Sequence, residues 1–103
     1  MIKRNVIAGS ICALLLVACG GDEAAAKKAV LGHLKDPDSA KFGKFSLAGT
    51  KGACLTVNAK NSMGGYTGDQ QAFLLKDSEK GWIVIAIDKD LDHKMCIEVL
   101  SKP

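Results

Sequence analysis

An α+β fold, with one N-terminal helix packed on a four- or five-stranded antiparallel sheet, follows from three features of this sequence. A helical apolar period occupies one early segment. Short alternating or continuous apolar runs, separated by glycine- and aspartate-containing turns, fill the rest. The helix precedes the strands rather than alternating with them, which favours α+β over a parallel α/β sheet.

The helix is expected in "DEAAAKKAVLGHLK", capped by Asp22 and running to about Lys35. Ala26, Val30, Leu31 and Leu34 form its apolar stripe, and Glu23 with Lys27 supplies an i,i+4 pair. Gly32 weakens it and suggests close packing there. Asp36-Pro37 ends it, because a residue before proline avoids the helical region. The first strand is Ala40 to Leu47, where Phe42 and Phe45 fall out of alternation with Gly43 between them. A bulge at Gly43 would bring both rings to one face. After a "GTKG" turn, Ala53 to Lys60 alternates Leu55, Val57 and Ala59 against Cys54, Thr56 and Asn58. A polar, glycine-rich loop leads to a third strand, Gln71 to Lys76, and a "DSEKG" turn to a fourth, Trp82 to Asp88. The nearly continuous apolar run of that fourth strand predicts a central position, buried on both faces. The last segment fits either a short helix or a loop plus a strand. We take it as an edge strand near Cys96–Leu100.

The segment before the helix has a different character. Lys3 and Arg4 precede an uncharged run from Val6 to Ala18, about 13 residues long, followed by Cys19. A basic start, a short apolar core and a small-residue end form a secretory signal. The run is short of the roughly 20 residues that span a bilayer as a helix. "LVAC", Leu16 to Cys19, resembles the lipobox of bacterial lipoprotein signal peptides. That resemblance implies cleavage before Cys19 and a lipid on its thiol, a good nucleophile for acyl-glyceryl transfer. Residues 1–18 are then a signal peptide, 19–22 the lipidated cysteine and a short tether, and 23–103 a single domain. Gly20 in place of Asp after the cysteine implies sorting to the outer membrane, facing the periplasm.

Processing also changes the charge. The chain has 14 basic and 11 acidic residues, and losing Lys3 and Arg4 leaves 12 against 11, without an arginine. A nearly neutral domain with no guanidinium argues against nucleic acid as a partner. Of the four cysteines, Cys12 lies in the expected signal core, and the lipobox resemblance implies that Cys19 carries the lipid. Cys54 and Cys96 remain, and in an oxidising compartment they are expected to form one disulfide; two free buried thiols are the alternative. The loop so closed is roughly 40 residues, worth about 4 kcal/mol in the chain-entropy model.

The motifs for chemistry are sparse. Asp88, Asp90 and Asp92 match the opening of a calcium-binding loop, but His93 stands where glycine is needed and Val99 where the bidentate glutamate should be. They are read as a solvated acidic turn. His33 and His93, the only histidines, sit in no recognisable nucleophile context, so neither enzymatic activity nor a cofactor or metal is expected. The most unusual stretch is "NAKNSMGGYTG", Asn58 to Gly68. Its glycines permit positive φ and close approach, and Tyr66 offers an amphipathic contact. It is read as a candidate recognition loop carried by Asn58, Asn61, Tyr66 and Asp69. The alternative is a wide hairpin connection in which the asparagines cap backbone groups.

"LKDPDSAKF", Leu34 to Phe42, and "VNAKNSMGGYTG", Val57 to Gly68, give the chain a wider resemblance. It is similar to a group of small bacterial and prophage-type envelope lipoproteins of uncharacterised activity. The resemblance covers about half of the mature chain and implies one compact domain. Group members often carry an acidic residue before "VNAKN"; "CLTVNAK" departs from that pattern at Leu55 and Thr56. The resulting expectation is a lipid-anchored, periplasm-facing binding module, with the membrane and an envelope protein as partners. The other expectation is an inhibitor of a periplasmic hydrolase, or a lipoprotein that blocks a phage receptor.

Overall fold

The computed structural model describes residues 21–102. Helix α1 covers residues 21–31, and one 3-10 turn covers Pro37–Ser39. Four strands follow: β1 (Lys41–Ala48), β2 (Gly52–Asn58), β3 (Gln70–Asp77) and β4 (Gly81–Asp88). Helix α2 covers His93–Ser101. The strands form an antiparallel meander in the order β1-β2-β3-β4. The fold is α+β, as expected.

Alternation on the two inner strands divides the core. Ala53, Leu55 and Val57 of β2, with Ala72 and Leu74 of β3, face α1 and pack on its Ala26 and Val30, all fully buried. Each large side chain buried there contributes about 1.5–3 kcal/mol. Cys54 and Phe73 point the other way, toward α2, and join Ala48 and Cys96 in a second, smaller cluster. The sheet therefore carries a helix on each face.

Two details of β1 and α1 are as the sequence predicts. The β1–β2 register skips between Phe42 and Phe45, which pair with Val57 and Leu55, and both rings pack on the α1-side core. A Cβ at Gly43 would lie 3.2 Å from Thr56 Cβ and Cγ2, so the bulge is built on glycine where a side chain would crowd the neighbouring strand. Glu23 and Lys27 pair at 3.0 Å.

Several expectations are corrected. Residues 21 and 22, assigned to the tether and the cap, are already helical, and Asp22 instead pairs with Lys76 at 3.0 Å. Helix α1 stops at residue 31 rather than Lys35. His33 N–H and Leu34 N–H bond three residues back, to Val30 O and Leu31 O, which tightens the chain into a turn. Gly32 lies in that turn, and the nearest atom to a Cβ there is Ala29 O at 3.5 Å, so it marks no close packing.

Strand β4 is an edge strand, not a central one. A meander pairs each strand with the next, so the last strand has one neighbour whatever its composition. Val84 and Ile87 pack toward α1, while Ile83 and Ile85 are exposed. Ile85 is the extra residue of a second bulge, where the register skips between Phe73 and Leu74.

The C-terminal segment is helical. Asp92 caps it, its Oδ1 accepting Met95 N–H at 2.8 Å. Cys96, Ile97 and Leu100 recur at helical spacing and face the sheet. The disulfide does form between Cys54 and Cys96, with Cα atoms 6.0 Å apart, but it joins β2 to a helix rather than to a fifth strand.

Candidate functional site

The loop from Asn58 to Asp69 connects the two inner strands and is held by hydrogen bonds of its own side chains and backbone. Asn61 Oδ1 accepts Met63 N–H at 2.9 Å and Gly65 N–H at 3.2 Å. Asn61 N–H donates to Gly65 O, and Gly64 N–H to Asn61 O. These bonds close a tight turn of the Asx type. Asn58 Oδ1 accepts Gly68 N–H at 3.1 Å, and Lys60 and Tyr66 form an antiparallel bridge at the loop's neck. Gly64 and Gly68 have φ of 86° and 89°, a region that side-chain-bearing residues rarely enter. Both asparagines thus cap backbone groups, as the alternative reading of the loop describes. At the tip, Met63 is 94% exposed.

The segments Leu34–Phe42 and Val57–Gly68 meet in space. Ser39, in the 3-10 turn, donates its hydroxyl to Asp36 O at 2.7 Å and accepts Lys60 N–H at 2.8 Å. Tyr66 Oη donates to Ser39 O at 3.2 Å. Lys41 Nζ lies 4.6 Å and Lys60 Nζ 5.7 Å from the centroid of the Tyr66 ring, within cation–π range. Tyr66 is therefore held in place by residues from both segments, while 43% of its surface stays accessible. Neither lysine forms an ion pair among the described residues.

Asp69 does not join this group. It lines a shallow cavity of about 350 Å³ on the α2 face with Gly43, Lys44, Thr56, Gln71 and His93. There the structure reveals a polar cluster that the sequence reading missed. His93 Nε2 lies 2.9 Å from Ser46 Oγ, and Nδ1 lies 3.0 Å from Gln71 Oε1, which also accepts Thr56 Oγ1–H at 3.0 Å. Because an amide oxygen only accepts, Nδ1 carries the proton and Nε2 accepts from Ser46. Burial lowers the His93 pKa from its ordinary value, Lys44 adds to this, and Asp92 partly opposes it. Hydroxyl, imidazole and amide stand in the order of an activated nucleophile. Here they come from β1, α2 and β3, and with Thr56 of β2 they pin the first turn of α2 to three strands. Thr56 and Gln71 are buried in this network, which satisfies their polar groups. No local sequence pattern could have shown it, since its members are 10 to 47 positions apart.

Asp88 and Asp92 serve the turn before α2: Asp88 Oδ1 accepts Asp90 N–H at 2.7 Å, and Asp92 is the cap. Among the described residues, no group of three or more His, Cys, Asp or Glu side chains comes close enough to hold a metal ion. Cys19, the expected lipidation site, lies outside the described residues, as does the 1–18 segment.

The fold and this site define a small α+β domain with a disulfide-stapled helix on one face and a self-braced hairpin loop at one end. No family model, curated protein or solved structure matches the chain.

Proposed function

We propose that this protein is a lipid-anchored envelope lipoprotein, facing the periplasm, that acts as a small binding module through the loop Asn58–Asp69. One observation carries the binding reading: the loop is held by at least five internal hydrogen bonds yet presents Met63 94% exposed at its tip. A loop fixed before contact loses little entropy on binding, and an exposed methionine with a braced tyrosine suits a protein surface. The anchor is supported by the basic start, the short apolar run and the lipobox resemblance at Leu16 to Cys19.

The protruding tip also favours the inhibitory reading, in which the loop enters a pocket of a periplasmic hydrolase or covers a surface receptor. In-cell photo-cross-linking tests both. A photoreactive residue at Met63 should capture one defined partner, and the same residue at Glu98, on the outer face of α2, should not. A hydrolase in that adduct, inhibited by the intact protein and not by Tyr66→Ala, would establish inhibition. A receptor would establish exclusion. Equal capture from both positions, or none from Met63, would sink the loop as the binding element.

A further inference from the structure

The glycine-rich loop and residue 21 lie at opposite ends of the sheet. Asp22 Oδ1 is 3.0 Å from Lys76 Nζ, so α1 starts beside the end of β3 that leads into the β3–β4 turn. Just beyond its other end, His33 and Leu34 share a cleft with Lys60 and Thr67 of the loop. Helix α2 runs in the opposite sense. His93 contacts Gln71 near the loop, while a Cβ at Gly49, in the β1–β2 turn, would collide with Leu100 O. The end away from the loop therefore consists of the start of α1, the two hairpin turns and the last turn of α2.

Only two peptide steps separate Cys19 from residue 21, a span of at most about 7 Å in any conformation. We propose that this end of the domain rests on the bilayer surface, with phospholipid headgroups as its partner. The glycine-rich loop then stands roughly 25 Å away, the length of an eight-residue strand. The proposal rests on the lipid anchor at Cys19 proposed above. An acyl chain in the hydrocarbon holds Cys19 at headgroup level, and residue 21 follows it there. Helix α1 cannot swing away to relieve this placement, because Ala26 and Val30 are fully buried against the sheet.

The surface chemistry of this end agrees with such a position. Lys51, Lys80 and Lys102 are exposed there, beside exposed Leu47 and Leu75. Lysine stems lie along apolar surface while their ammonium groups reach phosphates. Of the acids at this end, Asp22 is paired with Lys76, and Asp77 accepts the N–H groups of Glu79 and Lys80. Glu23 is paired with Lys27, and Glu79 and Glu98 are the acids of this end that are exposed and have no ion pair among the described residues.

The chain's single tryptophan, Trp82, pairs across the sheet with Lys76 at this end and reports on the proposal without mutation. Full-length lipidated protein is reconstituted into vesicles of phosphatidylethanolamine and phosphatidylglycerol that carry a nitroxide on the headgroup. Trp82 emission should fall several-fold relative to nitroxide-free vesicles. A tryptophan at the loop, Tyr66→Trp with Trp82→Phe, should keep its emission unchanged. Emission of Trp82 that is unquenched, or quenched no more than that of the loop probe, overturns the orientation. Labelled palmitate is followed in the same preparation. If Cys19 takes no lipid, the anchor reading fails and the orientation falls with it. If lipid is present but the quenching pattern is reversed, the orientation alone fails.

Discussion

Ser39 Oγ accepts the backbone N–H of Lys60 at 2.8 Å, although the two are 21 positions apart in the sequence. That one hydroxyl joins the turn after α1 to the neck of the glycine-rich loop, and its own proton goes to Asp36 O. Ser39→Ala should leave both backbone groups without this partner and cost about 1 kcal/mol. Denaturant unfolding would show a lower midpoint, and amide exchange at Lys60 would accelerate. Unchanged exchange at Lys60 would mean that the two segments are not coupled through Ser39.

The loop's glycines should not be equivalent. Gly64 and Gly68 have positive φ, whereas Gly65 does not, and a Cβ at any of the three would meet nothing within 4 Å. Gly64→Ala and Gly68→Ala should each cost about 1–2 kcal/mol through backbone strain alone. Gly65→Ala should be nearly neutral. Thermal melts of the three variants decide this, and equal losses would refute the conformational argument.

The Cys54–Cys96 bridge joins positions 42 residues apart and pins α2 across the sheet. Loop closure of that size is worth about 4 kcal/mol, a large share of the roughly 5–15 kcal/mol that stabilises an ordinary domain. Reduction should therefore lower the urea midpoint steeply. The Cys54→Ser, Cys96→Ser double variant should match the reduced protein and be insensitive to reductant.

His93 makes stability depend on pH in a stated direction. Burial lowers its folded-state pKa from the ordinary value of 6.5, so the folded protein binds the proton less readily than the unfolded chain. Its contribution is complete above about pH 6.5 and is lost as pH falls from there through the lower folded value. Unfolding measured from neutral to mildly acidic pH should show this loss in the wild type. His93→Gln should remove that part of the slope. An identical slope in the variant would assign the pH dependence to other groups.

Much of the architecture was legible because it is written in short-range pattern. Alternation at Leu55 and Val57 against Cys54 and Thr56 identified a strand with two usable faces, and both faces are used. The misplaced pair Phe42 and Phe45 around Gly43 announced the bulge, since only an extra residue can return both rings to one side. Other features were not local. The run Trp82 to Ile87 reads as a doubly covered strand, but coverage depends on where α2 lies, and α2 contacts β1, β2 and β3. The last segment has an apolar spacing compatible with strand or helix, and the Asp92 cap together with the disulfide to β2 decides for helix.

The sequence by itself determined the α+β class, four strand positions, the cysteine pairing and the loop worth inspecting, because periodicity, turn residues and cysteine number act over a few residues or by elimination. Tertiary structure alone decided that Ser39 braces the loop, that Ser46, Thr56, Gln71 and His93 meet, and that residue 21 stands at the far end of the sheet from Tyr66. Those relationships join residues tens of positions apart, and they arise only once strand order and the placement of two helices on opposite faces have been set by packing.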